Sequence, residues 1–290
     1  MQMKNEIKID NKLKKIAIQG GAGAFHEIAA LHYFGSDNIE IVPSLTFRDL
    51  FKSLKHQHAD YGIMAIENLV AGSILPNYQL LSESNMKIIG EIYLRIIQNL
   101  VALPGQTIDQ ITEVYSHPMA ILQCQIFFED YPHIRLIESV DTALSAKEIA
   151  DTRQKGIGAI SSAEAAVKYG LEIIKSSIET NKVNYTRFLI LADKDEEVEF
   201  EEPVNKSSLH FALAHEIGSL AKILSIFSYF NINLTKIQSL PIIGKEWEYF
   251  FYVDVEFSDY NIYRHALDSV KPFTSTLGVL GEYHKGKSIM

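Results

Sequence analysis

Short apolar runs alternate with stretches of helical periodicity over the first two thirds of the chain. Residues 16–18, 39–42 and 61–66 have the length and the branched side chains of buried strands. Two stretches with apolar side chains at helical spacing separate them, and further strands are predicted at 88–103, 112–115, 134–139, 157–160 and 188–192. This order predicts an α/β fold with mostly parallel sheets and helices on both faces.

The pattern changes after residue 193. Residues 194–206 are rich in Asp and Glu, contain Pro203 and lack periodicity, so we interpret them as a linker. Residues 207–285 follow the order βαββαβ, which is typical of a ferredoxin-like domain. We therefore expect two domains, at residues 15–193 and 207–285, after a frayed leader at residues 1–14.

Composition excludes several classes of protein. The 290 residues are 47% hydrophobic and 22% charged, which is ordinary for a globular chain. The net charge of -9 and the lack of a Lys/Arg cluster argue against a nucleic-acid partner. One cysteine, Cys124, excludes an internal disulfide and a cysteine-based zinc site, and none of the ten histidines belongs to a convincing metal-ligand set.

Membrane insertion and export are also not expected. No apolar run in the sequence approaches the ~18 residues that a membrane span needs. Residues 1–15 are polar and Lys-rich, unlike a secretory signal. A cytoplasmic protein without membrane contact is the expectation.

Polar clusters stand at the ends of several predicted strands, where open α/β sheets bind ligands. Gly20-Gly21-Ala22-Gly23 opens a helix whose bare N–H groups could hold an anion, although a tight turn without a ligand fits equally well. Glu67-Asn68 ends an apolar strand and precedes Gly72-Ser73. A buried Asn needs hydrogen-bond partners, and either a ligand or a braced loop would supply them.

Two further clusters combine donors with an apolar side chain or a helix start. Ser116-His117 precedes a predicted helix, so it is either a plain N-cap or a carboxylate site. Thr186-Arg187-Phe188 joins a hydroxyl, a guanidinium fork and an apolar wall, and the fork suits a substrate carboxylate. Spacing alone does not exclude an ordinary surface arginine here. Because this cluster precedes its strand, it reaches the same sheet edge only if that strand runs antiparallel.

Taken together, these segments resemble the prephenate dehydratase family. The joint match runs in order from about residue 15 to residue 192, and Thr-Arg-Phe is its hallmark element. The C-terminal βαββαβ unit is similar to the ACT regulatory domain that follows the catalytic domain in this family. The segments that carry the resemblance are Met64-Ala65-Ile66-Glu67-Asn68, Gly72-Ser73, Val114-Tyr115-Ser116-His117-Pro118, Gln123-Cys124, Asp141-Thr142-Ala143, Gly158-Ala159-Ile160-Ser161-Ser162-Ala163-Glu164-Ala165-Ala166, Tyr169-Gly170-Leu171 and Asn184-Tyr185-Thr186-Arg187-Phe188.

The resemblance implies a lyase that converts prephenate to phenylpyruvate in phenylalanine biosynthesis, without a cofactor. It implies a catalytic domain of two α/β lobes, like a periplasmic binding protein, with the site in the cleft between them. Thr186 would donate to the departing hydroxyl, and Arg187 would hold a carboxylate or order the loop. The substrate-binding residues that it implies are Gly21, Asn68, Ser73, Ser116, His117, Thr142 and Phe188.

The resemblance also implies an effector and an assembly. Phenylalanine would bind near Gly218, Ser219 and Leu220 of the ACT-like domain, in a homodimer or homotetramer. The family's second effector motif, Glu-Ser-Arg-Pro, reads Gln238-Ser239-Leu240-Pro241 here, so feedback control is less certain than catalysis. In the catalytic domain, the family's usual His stands as Gln98, and its Gly-Thr-Phe-Ser loop reads Gly23-Ala24-Phe25-His26.

Two alternatives stay open at this point. An arogenate dehydratase would use the same site on a substrate that carries an amino group in place of the keto group. A solute-binding regulator without catalysis would share the two-lobed architecture. No chorismate mutase helix precedes residue 15, so a monofunctional chain is expected.

Overall fold

The computed structural model describes residues 13–242, 244–245 and 248–289, and the leader expected at residues 1–14 lies almost wholly outside them. The strands are β1 (Lys14–Gln19), β2 (Ile39–Ser44), β3 (Tyr61–Asn68), β4 (Gly72–Ser73), β5 (Met86–Arg95), β6 (Asn99–Ala102), β7 (Glu113–Ser116), β8 (Arg135–Glu138), β9 (Ile157–Ser161), β10 (Glu172–Lys175), β11 (Tyr185–Asp193), β12 (Lys206–Ala212), β13 (Asn233–Pro241), β14 (Tyr249–Glu256), β15 (Thr276–Tyr283) and β16 (Ser288–Ile289).

Within the described residues, eight α-helices connect these strands. They are α1 (Phe25–Phe34), α2 (Phe47–Lys55), α3 (Leu75–Glu83), α4 (Pro118–Glu129), α5 (Thr142–Thr152), α6 (Ala163–Tyr169), α7 (Ser219–Tyr229) and α8 (Tyr260–Val270). Thr46 caps α2, because its side-chain oxygen accepts from the Asp49 backbone N–H at 3.1 Å. None of the helices within the described ranges is long and apolar enough to span a bilayer.

The strands up to β11 form two lobes. In the first lobe the sheet order is β5-β11-β3-β1-β2, and the second lobe has a five-stranded sheet of order β10-β6-β9-β7-β8. The chain passes to the second lobe between β5 and β6 and returns between β10 and β11. The apolar stretch predicted as one strand at 88–103 is therefore two strands in two different sheets, because the chain crosses between lobes at residues 96–98.

The prediction of mostly parallel sheets is wrong. Strand β1 lies parallel to β2 and β3, but β11 runs antiparallel to both β3 and β5. In the second lobe β7 is parallel to β8 and β9, whereas β6 is antiparallel to β9 and β10. Each sheet is mixed because the crossing strands enter it against the direction of its β-α-β strands. The antiparallel β11 brings its first residues to the carboxyl end of β3.

The C-terminal part has the predicted βαββαβ order. Its strands lie in the order β13-β14-β12-β15, and α7 and α8 pack on one face around Phe211, Phe227 and Tyr263. The opposite face packs on the first lobe, where Tyr252 and Leu280 share one apolar core with α2, α3 and β5. The two domains are therefore joined by a common core rather than by a linker alone.

The two domains also share one sheet. Strand β15 pairs with the edge of β5 at Gly281 and Ile88, which extends the first-lobe sheet to 11 strands. A Cβ atom built on Gly281 would lie 2.1 Å from the carbonyl oxygen of Ile88. Only glycine lets the two backbones approach this closely.

We expect Gly281→Ala to weaken this junction. The added methyl group would force β15 away from β5, and overpacking of this kind costs about 1–3 kcal/mol of folding free energy. Denaturant unfolding checks this, with Thr276→Ala on an exposed position of the same strand as the matched control. Equal stability of the two variants would contradict the close approach of the strands.

Candidate active site

A cleft of about 280 Å³ lies between the two lobes. Residues of β3 and β11 form one wall, and the first residues of α4 and α5 form the facing wall. Five of the predicted site residues line it: Asn68, His117, Thr142, Thr186 and Phe188. They come together because the carboxyl ends of β3 and β7 and the start of the antiparallel β11 meet at this edge.

The central contact of the cleft joins Asn68 to Thr186. The two residues are register partners on β3 and β11, and the Asn68 amide nitrogen donates to the Thr186 hydroxyl oxygen at 2.9 Å. The amide oxygen of Asn68 accepts from the backbone N–H groups of Val70 and Ala71 at 3.0 and 2.9 Å. Because those donors fix which end of the amide is oxygen, the Thr186 hydroxyl is an acceptor toward Asn68.

The Thr186 proton is consequently available to the cleft. No described residue accepts a hydrogen bond from this hydroxyl, and the side chain is buried on its other sides. The preceding Asn184, fully buried, accepts from Asn68 at 2.8 Å and donates to Gln123 at 3.0 Å. These amides hold the threonine side chain in place. The hydroxyl proton is left without an acceptor among the described residues and can donate into the cleft.

Gln98 and Gln123 extend this amide network. The Gln123 side chain donates to the Asn68 oxygen at 3.4 Å, and Gln98 donates to Gln123 at 3.3 Å. The remaining amide oxygen of Gln98 is buried and has no hydrogen-bond partner among the described residues. The position where the family usually has His therefore carries an unsatisfied acceptor in the wall of the cleft.

Two histidines complete the wall. His26 packs edge-on against Phe188, with 4.9 Å between ring centroids, and its Nε2 accepts from the Ala65 backbone at 3.3 Å. The ring is half-buried, and desolvation by the surrounding protein lowers its pKa to about 3. His26 is therefore uncharged at physiological pH. Because its Nε2 accepts a hydrogen bond, its one ring proton is on Nδ1, which can act as a donor.

His117 is also a neutral donor. Its Nδ1 caps α4 by accepting from the Met119 backbone N–H at 3.2 Å. Desolvation lowers the pKa of the ring, partly offset by the charges of Asp141 and Glu138. The ring is nevertheless exposed at the cleft mouth. With Nδ1 used as an acceptor, Nε2 carries the proton and is free to donate.

The prediction that Gly21 binds the substrate is wrong, because its N–H faces a carboxylate of the protein itself and Gly21 does not line the cleft. Its N–H donates to the Asp141 carboxylate at 3.4 Å, and the loop carbonyls of Ala22 and Gly23 accept from Tyr169 and Ser162 of the second lobe. A Cβ atom built on Gly23 would lie 2.6 Å from Ala165. These glycines bring the first lobe into contact with the second.

Ser116 and Ser73 also face away from the cleft. Ser116 is fully buried and donates to the Ile160 carbonyl at 2.8 Å, so it belongs to the sheet of the second lobe. Ser73 accepts from Lys236 of the C-terminal domain at 2.7 Å. The predictions for both are wrong, because the Ser116 hydroxyl is bonded to the neighbouring strand β9, the Ser73 hydroxyl faces Lys236, and neither residue lines the cleft.

The largest correction concerns Arg187. Successive residues of a strand point to opposite faces, so Thr186 facing the cleft places Arg187 behind the sheet. There its guanidinium donates to Glu91 at 2.7 Å, to Tyr283 at 3.0 Å and to Asp254. Arg187 is 5% exposed and holds no substrate carboxylate.

The predicted effector residues do not share one described cavity. Gly218 begins α7 with a φ of 80°, and Ser219 lines a pocket of about 350 Å³ together with Glu216, Lys222 and Thr274. On β13, Gln238 donates to the Ser239 carbonyl, while Leu240 packs into the core shared by the two domains. Leu240 is thus a core residue, and Leu220 packs against the core of the C-terminal domain.

Sequence reasoning missed His26, Gln123 and Asn184 as parts of the site. His26 is the second residue of α1, and Gln123 lies in the middle of α4, so neither directly follows a strand end. Gln123 lies six residues after His117, a spacing that does not place two side chains on one helix face, so helical periodicity gives no signal for it. Within the described ranges, no group of three or more His, Cys, Asp or Glu side chains is arranged to hold a metal ion.

The structure is similar to solved proteins over almost its whole length. The prephenate dehydratase from Arthrobacter aurescens, solved in complex with L-Phe, superposes with a TM-score of 0.83 at 23% identity, covering 93% of this chain and 90% of that one. The structure described as GqqA, a novel type of quorum quenching acylase, has the same TM-score at 27% identity, covering 94% and 98%. The fold is therefore shared by proteins described under different activities.

Sequence comparison is more specific. The bifunctional chorismate mutase/prephenate dehydratase of Aquifex aeolicus is 35% identical over 96% of this chain and 75% of its own length. Arogenate dehydratase 1 of Petunia hybrida is 37% identical over 93% of this chain and 66% of its own length. The model of the prephenate dehydratase family matches residues 16–196, which contain every residue of the cleft described above. The chain belongs to the prephenate dehydratase family.

Proposed function

We propose that this protein is a prephenate dehydratase that converts prephenate to phenylpyruvate. One observation carries the proposal: the Asn68 amide donates to the Thr186 hydroxyl, which leaves the hydroxyl proton free to donate into the cleft. Membership of the family indicates the reaction, and the Thr186 hydroxyl is a hydrogen-bond donor for the hydroxyl group that leaves the substrate.

The reaction requires the protein to assist the departure of one hydroxyl group from the ring. The ring carbon loses its hydroxyl, the bond to the ring carboxylate breaks to release carbon dioxide, and that electron pair completes the aromatic ring. A donor positioned on the departing oxygen is typically worth ~10²–10⁴ in rate. Thr186 acts by orientation and polarisation, because an ordinary hydroxyl is a poor acid. Aromatisation drives the reaction, so it needs no cofactor.

The cleft suits a substrate whose ring carboxylate leaves as carbon dioxide. Phe25, Phe47, Ile96 and Phe188 supply apolar surface for the ring. The lining residues within the described part of the chain include no Lys or Arg, so neutral donors such as His117 and Thr142 face the carboxylates. The N-termini of α4 and α5 add partial positive charge. A weak hold on the ring carboxylate favours its loss, because its charge disperses in the transition state.

Arogenate is the second candidate substrate. The relatives include proteins named arogenate dehydratases at 37% identity, and arogenate differs only in an amino group on the side chain. The unpaired acceptor of Gln98 favours a substrate with an additional N–H donor. Both substrates would use the same Thr186 chemistry.

The C-terminal domain is proposed to be an ACT domain that binds phenylalanine as an inhibitor. The βαββαβ order and the pocket beside Ser219 support this, since Lys222 and Glu216 carry charges that match an amino acid's carboxylate and ammonium groups. A homodimer or homotetramer is proposed because β13 is an edge strand of the sheet, which a second copy could cover. Residues 15–193 would then be the catalytic domain and 194–206 the linker.

Thr186→Val should abolish most turnover while preserving the fold. Valine keeps the shape of threonine but removes the donor, so kcat should fall at least ~10²-fold with little change in KM. Thr186→Ser is the matched control, because it retains the hydroxyl and should retain most activity. Steady-state kinetics measure both variants. Unchanged kcat in Thr186→Val would remove this hydroxyl from the chemistry.

Purified protein given prephenate or arogenate should form phenylpyruvate from the first or phenylalanine from the second. We expect kcat/KM to be higher for prephenate if the family activity holds for this chain. Gln98→Leu should lower kcat/KM for arogenate more than for prephenate, because it removes the acceptor for the amino group. Binding of either compound without turnover would identify a solute-binding regulator instead.

Phenylalanine should bind the full-length protein and lower its activity. A coupling of about 1–3 kcal/mol, or about 5–150-fold in affinity, is typical of such regulation. Calorimetric titration measures binding, with Lys222→Ala as the variant expected to weaken it. Absence of binding heat together with unchanged activity would show that the altered motif at Gln238 no longer serves an effector.

A further inference from the structure

The rear face of the sheet carries a second pair of residues directly behind the Asn68–Thr186 pair. Arg187 and Glu67 are register partners on β11 and β3, one residue along from Thr186 and Asn68. Because strand side chains alternate, Thr186 and Asn68 face the cleft while Arg187 and Glu67 face the C-terminal domain. Each side chain at the site therefore has a charged neighbour pointing the opposite way.

The C-terminal domain presents complementary charges in the same spacing. Lys236 and Asp254 are register partners on β13 and β14. Asp254 pairs with Arg187, and Lys236 pairs with Glu67 at 2.6 Å. Two adjacent strands of one domain thus face two adjacent strands of the other through two ion pairs. The first lobe supplies the cation of one pair, Arg187–Asp254, and the anion of the other, Glu67–Lys236. We call these two pairs the ionic clamp.

The Arg187 arm of the clamp is buried and fully partnered. Asp254 also accepts from Ser208, and Glu91 binds both Arg187 and Lys206, at 2.7 and 2.8 Å. Burial alone would lower the pKa of Arg187, but the neighbouring charge of Asp254 holds it well above its usual range. Arg187 stays charged, so its geometry is fixed by two ion pairs, with Glu91 and Asp254, and by a hydrogen bond to the Tyr283 hydroxyl.

The ladder between β11 and β3 is irregular at this point. The pairing shifts between Arg187 and Phe188, which places Ile66 opposite no partner. Such a bulge interrupts the ladder that would otherwise set the register. Only the pairs Thr186–Asn68 and Arg187–Glu67 lie beyond this break at the end of the ladder, and the ionic clamp lies directly behind them.

We propose that Arg187 and Glu67 are positioning residues for the Thr186 hydroxyl, and that Asp254 and Lys236 of the C-terminal domain complete the clamp that holds them. This rests on the proposed role of Thr186. The C-terminal domain is then a structural part of the active site, although it contributes no residue to the cleft. A displacement of about 1 Å at a reacting group can cost ~10²-fold in rate, so a partial loosening should cost about tenfold.

The Glu67–Lys236 arm is the better one to test because both side chains are partly exposed, at 29% and 16%. Glu67→Lys and Lys236→Glu each place like charges together, and the double variant restores the pair with reversed polarity. We expect each single variant to lower kcat about tenfold with KM nearly unchanged, and the double variant to recover to within about threefold of wild type. Lys147→Glu, which breaks an exposed pair with Asp151 on α5, is the matched control and should leave kcat unchanged.

Arg187→Lys tests the other arm. Lysine keeps the charge but cannot make the three-sided contact of the guanidinium. A positioning role predicts a lower kcat with KM unchanged, whereas a substrate clamp predicts a higher KM. Thermal unfolding of every variant shows whether it is folded under the assay conditions.

Hydrogen exchange at residues 185–188 gives a readout that does not depend on activity. Protection of these amides should fall in Glu67→Lys and Lys236→Glu and return in the double variant. The clamp does not position the hydroxyl if the single variants keep wild-type kcat. The same conclusion follows if kcat of the double variant falls by the two single-variant factors multiplied together. If wild-type protein turns over neither prephenate nor arogenate, the proposed function fails, while the exchange pattern still decides whether the clamp exists.

Discussion

The orientation of one amide group determines the chemistry of this cleft. Two backbone N–H groups of the loop after β3 fix the oxygen of Asn68, and its nitrogen must therefore donate toward Thr186. A hydroxyl that already accepts one hydrogen bond has its own proton to give. The site thus obtains a directed neutral donor from a turn and two neighbouring strands, and no Lys or Arg is among the described residues that line the cleft.

Much of the site follows from local sequence. Asn68, His117 and Thr142 stand at strand ends or helix starts, and both kinds of position are visible in the apolar pattern. The sequence requires β11 to run antiparallel if Thr186 is to reach these residues, and β11 is antiparallel to β3. The βαββαβ order of residues 206–283 was equally visible, because each element there has its own periodicity.

The errors arise where a residue's partner is far away in sequence. Arg187 looks like an anion clamp beside a catalytic threonine, but strand alternation turns it away, and its partners Glu91 and Asp254 lie 96 and 67 residues distant. Gly21 reads as an anion loop, yet its N–H faces an aspartate 120 residues later. Similarly, one apolar run divides between two sheets because nothing local marks the crossing between the lobes.

The shared 11-stranded sheet has a consequence for how the protein can be divided. A chain ending after β11 would leave the edge of β5 without β15 and β16 and would expose the apolar side chains of α2 and α3 that pack on Tyr252 and Leu280. It would also leave the guanidinium behind the cleft without one of its two carboxylates. Bare strand edges and apolar faces of this size favour self-association. A chain of the first 193 residues would therefore contain the whole of the cleft and yet expose a strand edge and an apolar face that the full-length protein covers.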